Sequence, residues 1–155
     1  MPAKIIDGVA HARAMRADIK SEIEILTARG SQPGLAVLLV GDDPASQVYI
    51  RNKQKACVES GFHSEVHHLA AETSQAELLE RIESLNDNPK IHGILVQLPL
   101  PKHIDAREII ESISPAKDVD CFHPYNVGRM ALGEDTLYPC TPHGVMRLLQ
   151  REGIE

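Results

Sequence analysis

Apolar residues follow two kinds of pattern along this chain, short runs and stripes at helical spacing. The runs span 35–40, which is entirely aliphatic, and 91–98, which also contains His92 and Gln97. They end at residues that interrupt regular structure, Gly41 and Pro99. Short aliphatic runs bounded in this way are typical of parallel strands that are buried on both faces. A third segment, 62–69, alternates between apolar and polar residues and predicts a half-buried strand near a sheet edge.

Stripes at helical spacing predict helices before, between and after these strands. The clearest stripe consists of Met15, Ile19, Ile23 and Leu26, on a helix that is expected to cover the sheet. The predicted helices span about 9–27, 44–60, 74–85, 105–113 and 141–151. Their expected caps are Ser74, with Glu77 completing a capping box, then Asp105, and Thr141 ahead of Pro142.

The order strand, helix, strand, helix, strand predicts an α/β fold. The expected architecture is a three-layer sandwich, with a small, mainly parallel sheet flanked by helices and an N-terminal covering helix. A length of 155 residues fits a single domain, 1–155. Residues 114–139 show little periodicity and are expected to form a long loop that serves a functional site.

Three reactive side chains are predicted to share one face of the helix that follows the strand 35–40. Tyr49 and Lys53 are four residues apart, and Ser46 lies one turn before Tyr49. In open α/β sheets ligands bind at the carboxyl ends of the strands, where this helix begins. The alternative is an ordinary solvated helix face with a surface lysine, and spacing alone does not decide between the two.

Two further polar residues are candidates for the same sheet edge. Gln97 lies inside an apolar strand, where a polar side chain is costly unless it has partners, although it could simply satisfy nearby backbone groups. Asp120 carries a charge that can accept two N–H bonds side by side, although an aspartate in a loop more often forms a turn.

Four sequence blocks resemble the methylenetetrahydrofolate dehydrogenase/cyclohydrolase family. The first comprises Gly41, Ser46, Tyr49 and Lys53 with the following Gln-Lys-Ala, and the second is Val-Gln-Leu-Pro-Leu-Pro at 96–101. The third, 117–126, reads KDVDCFHPYN where the family has KDVDGFHPYN, so that Cys121 replaces a glycine. Any positive φ at Cys121 would therefore be strained. The fourth block is Pro-Cys-Thr-Pro at 139–142.

This resemblance implies interconversion of methylene-, methenyl- and formyl-tetrahydrofolate. It assigns catalysis to Lys53, Gln97 and Tyr49, and folate binding to Tyr49, Ser46, Asp120, Leu98 and Pro99. The family's NADP is bound by a Rossmann domain that is missing from this chain, beyond a connecting helix at 141–153, and the intact family enzyme is expected to be a homodimer. A non-catalytic folate- or pterin-binding module and a purely structural domain are the alternatives.

Composition narrows the classes of function that remain. A net charge of −6, with two Phe, three Tyr and no Trp, argues against a nucleic-acid partner. No apolar run approaches the ~20 residues that cross a bilayer, and residues 1–7 lack the apolar core of a leader, so a cytoplasmic location is expected. The spacing of Cys57, Cys121 and Cys140 predicts free thiols, and the eight histidines show no spacing typical of a metal site.

Overall fold

The computed structural model describes residues 5–154 and, for Ala45, the backbone alone. Residues 1–4, which carry part of the expectation about a leader, and Glu155 lie outside the described residues. The elements in chain order are α1 Gly8–Ala28, β1 Gly34–Val40, α2 Pro44–Ser60, β2 His63–Leu69, α3 Gln75–Asp87, β3 Gly93–Val96, α4 Ala106–Ser112, α5 Pro124–Ala131 and α6 Cys140–Arg151.

The three strands form one parallel sheet in the order β2-β1-β3, which confirms the predicted α/β class. Val37 at the middle of β1 pairs with Val66 on one side and with Leu95 on the other. An isolated parallel bridge between Ile94 and Asp118 extends the sheet locally beyond β3. The central strand therefore has partners on both edges, and the long segment after α4 is attached directly to the sheet.

Alternate residues of β1 face two different cores, because successive side chains of a strand point to opposite sides. Ala36, Leu38 and Val40 pack on the side of α3 and α4, where the buried residues include Leu78, Ile82 and Ile109. Val37 and Leu39 pack with Leu95 and with Ile50 of α2 on the other side. Burial of each large aliphatic side chain contributes about 1.5–3 kcal/mol, so both layers stabilise the sheet.

Helix caps largely follow the sequence prediction. Ser74 and Glu77 form the expected capping box of α3, and Asp105 accepts from two backbone N–H groups of α4. The cap predicted at Thr141 is wrong, because α6 begins at Cys140 after Pro139, which carries no side-chain cap. Proline fixes a φ suited to a helix entry, so the helix begins without a side-chain acceptor.

Helix α1 lies where the hydrophobic stripe predicts it, but most side chains of the stripe are at least partly exposed to solvent. Ile23 is its buried residue, whereas Ile19 and Leu26 are 38% and 41% exposed. The helix packs on α2 and α6, and Arg151 of α6 forms an ion pair with Asp18 at 2.7 Å. The predicted covering helix therefore extends the helical layer of α2 outward.

The predicted loop at 114–139 contains a helix that sequence reasoning missed. Helix α5 begins at Pro124, and its N-cap His123 accepts from the backbone N–H of Tyr125. Its glycine and its short length hide the helical periodicity. Strand β3 is also shorter than the predicted run of 91–98, because only Gly93–Val96 pair as a strand. Within residues 5–154, no helix is long and apolar enough to cross a membrane.

Candidate active site

Lys53 and Gln97 meet where β1 and β3 end. Gln97 directly follows β3, and its backbone N–H donates to the carbonyl oxygen of Leu38 on β1 at 2.9 Å. The Lys53 amine, on α2, donates to Oε1 of Gln97 at 3.3 Å. The amide nitrogen of the same side chain donates to the carbonyl oxygen of Leu98 at 2.8 Å. Gln97 therefore has a defined orientation, with its oxygen turned toward the lysine.

Asp120 lies close enough to Lys53 for their charges to interact, although the two come from distant parts of the sequence. Burial raises the pKa of the Asp120 carboxyl above its ordinary value, the positive charge of Lys53 opposes this shift, and the negative charge of Asp118 adds to it. Burial is the largest of these effects, since a charged group loses solvation when it is removed from water. Asp120 is thus a partly desolvated carboxylate beside an amine.

A cavity of about 440 Å³ contains both charged groups. Its wall is largely apolar, with Leu95, Val119 and Phe62 among its residues, and Cys57 and Cys140 contribute thiols. The cavity extends from Lys53 and Asp120 along the α2 side of the sheet toward the amino ends of β1 and β3. Apolar walls with a few polar groups in fixed positions are typical of small-molecule sites.

The remaining predicted residues surround this arrangement to different degrees. Tyr49, one turn before Lys53, has 64% of its surface exposed, so its ring is open to a stacking partner. Ser46 is 3% exposed, and its backbone N–H is held by the carboxylate of Asp43 at 2.8 Å. Leu98 is half-buried and Pro99 is exposed, and a cis peptide bond joins them. Their contacts with a ligand stay predictions.

Three residues of the site were not singled out from the sequence as functional. Cys57 and Cys140 line the cavity, and burial raises the pKa of the Cys57 thiol while Lys53 opposes that shift. Asp118 is 2% exposed and binds backbone and side-chain N–H groups of the following turn. Asp118 lies two residues before Asp120 in the block 117–126, and this proximity is the sequence feature that could have indicated its role.

Cys121 adopts the conformation that the sequence comparison with a glycine suggested. Its φ is 55°, in the left-handed region, and it is the non-glycine residue with positive φ among residues 5–154. The side chain is 1% exposed. A Cβ in this region costs roughly 1–2 kcal/mol, and burial of the thiol offsets part of that cost.

The histidines form a different kind of cluster on the edge strand β2. Glu65 is bound by His63 at 2.8 Å and by His67 at 3.1 Å, on the face toward α3. The hydrogen bond from His63 is the main reason why the pKa of Glu65 lies below its ordinary value. No group of three or more His, Cys, Asp or Glu side chains in the described part of the chain is arranged to hold a metal ion.

With this geometry in place, comparison with known proteins identifies the class. The model of the tetrahydrofolate dehydrogenase/cyclohydrolase catalytic domain matches residues 6–120, and the chain belongs to this family. That match includes Tyr49, Lys53, Gln97 and Asp120.

Individual relatives agree with this assignment. The chain is 59% identical over 155 residues to the bifunctional protein FolD of Moorella thermoacetica. Its fold superimposes with a TM-score of 0.95 on the bifunctional enzyme FolD of Campylobacter jejuni, at 48% identity over 97% of this chain and 54% of that one. The FolD of Trypanosoma brucei, solved with an NADP cofactor and an inhibitor, also gives a TM-score of 0.95, at 39% identity over 100% of this chain and 54% of that one.

The match is complete along this chain and partial along its relatives. The alignment covers all of this chain and 55% of the Moorella thermoacetica protein. The chain therefore spans about half the length of the curated relatives it matches. The half that is covered is the one that contains the catalytic domain of the family.

The left-handed backbone at Cys121 predicts that glycine is more stable than alanine at this position, the reverse of their order in helices. Cys121→Ala and Cys121→Gly both remove the buried thiol, but only alanine keeps a Cβ at a φ of 55°. We expect the glycine variant to be more stable than the alanine variant by about 1 kcal/mol, whereas glycine is the less stable residue in ordinary helices. Urea unfolding of the two variants measures the difference, and a more stable alanine variant would contradict it.

Proposed function

We propose that this chain is the folate-binding catalytic half of an enzyme that is both a methylenetetrahydrofolate dehydrogenase and a methenyltetrahydrofolate cyclohydrolase. The observation that carries the proposal is that Lys53 and Asp120 line one apolar cavity, while Gln97 accepts a hydrogen bond from the Lys53 amine. An amine for proton transfer, an amide that fixes its direction and a carboxylate for binding are the groups that these reactions need.

In the hydrolytic step, Lys53 handles the proton. Water attacks the methenyl carbon and forms a C–O bond while the amine, in its unprotonated form, takes one proton from that water. The C–N bond to one of the two flanking nitrogens then breaks, and the amine returns that proton to the departing nitrogen. The remaining hydroxyl proton is released to solvent as the C=O bond of the formyl group forms. Gln97 holds the amine through Oε1, so the nitrogen stays in one direction during both transfers.

Asp120 binds the pterin in this proposal. A pterin presents an amino group and a ring N–H side by side, and a carboxylate accepts both in a charge-assisted pair. Tyr49 stacks its exposed ring on the aromatic part of the folate, while Ser46, Leu98 and Pro99 contribute smaller contacts. Because Asp120 must be ionised for this contact, the affinity depends on its titration.

NADP, the hydride acceptor of the proposed oxidation, does not fit the glycine-led entry of α2. The amino terminus of α2 follows a glycine and a strand, but Asp43 already caps it and Asp42 adds a second carboxylate. A pyrophosphate would be repelled there. NADP is therefore proposed to bind in the part of the longer relatives that this chain does not span. Homodimer formation and a cytoplasmic location stay predictions.

A second candidate function is a non-catalytic folate- or pterin-binding module. The observation that favours it is the mostly apolar wall of the cavity, because such a wall with a few fixed polar groups suits binding of a small molecule whether or not a reaction follows. Both candidates use the same residues for binding, so hydrolysis distinguishes them.

Removal of the Lys53 amine should abolish hydrolysis and leave the fold intact. We expect Lys53→Ala to slow methenyl-tetrahydrofolate hydrolysis by about 10²–10⁴-fold, the usual range for the loss of a general acid–base group. The matched control is Lys55→Ala, because the Lys55 side chain is 74% exposed and forms an ion pair with Glu59 of its own helix.

The assay follows methenyl absorbance in the chain extended by the second half of the Moorella thermoacetica relative. An unchanged rate in Lys53→Ala, after subtraction of the uncatalysed reaction, would contradict the catalytic role. Saturable folate binding by the parent without any hydrolysis above the uncatalysed rate would favour the non-catalytic module instead.

Asp120→Asn should weaken folate binding and stabilise the folded chain. Loss of one charged acceptor from a paired contact costs about 1.5–3 kcal/mol of binding. As the pH is lowered, protonation of Asp120 should weaken folate binding by the parent. Because burial raises the pKa of Asp120, this loss of affinity should begin at a higher pH than for an ordinary aspartate, and the variant should not show it. The carboxylate also costs folding free energy at neutral pH, and asparagine removes that cost.

Calorimetric titrations with a tetrahydrofolate analogue across pH, and urea unfolding, measure the two effects. An Asp120→Asn variant with the parent's affinity and the parent's pH profile would contradict the binding role.

A further inference from the structure

We infer that Asp118 is a positioning residue for Asp120: its buried carboxylate closes the turn at 118–123 and thereby fixes the direction in which Asp120 faces Lys53. The part of this inference that concerns folate rests on the proposed function. The part that concerns the geometry of Asp120 does not.

The Asp118 carboxylate bridges the two ends of the turn that contains Asp120. It accepts from the backbone N–H of Phe122 at 3.3 Å and from that of His123 at 2.9 Å. It also accepts from Nδ2 of the buried Asn126 at 3.0 Å, on helix α5. Along the chain, Asp120 lies between the Asp118 carboxylate and the N–H groups that donate to it, so the backbone around Asp120 cannot rotate freely while these bonds last.

The start of the turn is anchored independently. The backbone N–H of Ile94 donates to the carbonyl oxygen of Lys117 at 2.7 Å, and Ile94 bridges Asp118 in parallel. The Lys117 amine donates to main-chain carbonyl oxygens at the end of α3, those of Leu85, Asn86 and Asn88. One end of the turn is thus fixed to the sheet, and the Asp118 carboxylate transmits that position to the other end.

Burial of the Asp118 charge costs hydration free energy that an ordinary exposed turn would not lose. A carboxylate with 2% of its surface exposed loses most of its hydration, and three N–H donors compensate for the loss. Burial is the main reason why the pKa of Asp120 and of the Cys121 thiol is raised, and the negative charge of Asp118 adds to both shifts. The Asp118 carboxylate therefore closes the turn that carries Asp120 and also contributes to the raised pKa of Asp120.

Asp118→Asn keeps the shape of the side chain and removes its charge and one acceptor. In this variant the pKa of Asp120 is expected to fall toward its ordinary value, which carbon-13 NMR of the carboxyl carbons measures. The affinity for a tetrahydrofolate analogue is expected to fall about tenfold. Asp105→Asn is the matched control, since Asp105 also accepts from two backbone N–H groups but lies exposed at the start of α4.

The outcomes separate the two claims. Removal of the Asp118 charge can by itself lower the pKa of Asp120, so the positioning role is judged on the backbone amide signals of residues 119–122 and on affinity. Unchanged amide signals in a folded Asp118→Asn variant overturn the positioning role. Displaced amide signals in a chain whose parent binds no folate support the positioning role and refute the proposed function. If Asp118→Asn does not fold, Asn126→Ser withdraws one donor and leaves the two backbone donors, and a smaller affinity loss in the same direction is expected. Parent affinity in that variant overturns the inference.

Discussion

The parallel pairing of β1 with β3 is the constraint on which the rest of the structure depends. Both strands are buried in their paired region, so their register is fixed by two hydrophobic cores, and a slip by one residue would exchange the faces. Because parallel strands end at the same edge, Gln97 after β3 comes next to the helix that follows β1. The contact between Gln97 and Lys53 is a direct consequence of this pairing.

Charges at the site and charges at the sheet edge have opposite effects on stability. For Asp120 the folded-state pKa is raised, so its ionisation opposes folding, and this cost is relieved as the pH falls through the folded pKa. For Glu65 the folded-state pKa is lowered by its histidine partners, so its contribution is present at neutral pH and lost on acidification. The unfavourable carboxylate is the one at the cavity, as expected where binding rather than stability is served.

Sequence patterns predicted the core because aliphatic runs and helical stripes report burial directly. They placed β1, most of the helices and the capping box at Ser74. They also selected Lys53 and Asp120, which line one cavity, and Gln97, which contacts Lys53. They missed α5, because a short helix with an internal glycine has little periodicity. They misplaced the start of α6, because Thr141 resembles a cap while Pro139 already sets the helix entry.

The role of Asp118 could not be read in advance for a related reason. Asp118 and Asp120 are chemically identical in the sequence, and only the burial of one and the cavity position of the other distinguish them. The exposure of α1 is a similar case, since a hydrophobic stripe states that a face is apolar and does not state what covers it.

The most direct test of the account is an NMR titration of the isotopically labelled chain with a stable tetrahydrofolate analogue. The account predicts saturable shifts of the backbone amides of Lys53, Gln97 and Leu98 and of the turn at 118–123. Shifts concentrated instead at the cavity of about 390 Å³ beside Arg13, Arg16 and Lys20 would contradict it, as would the absence of any saturable shift.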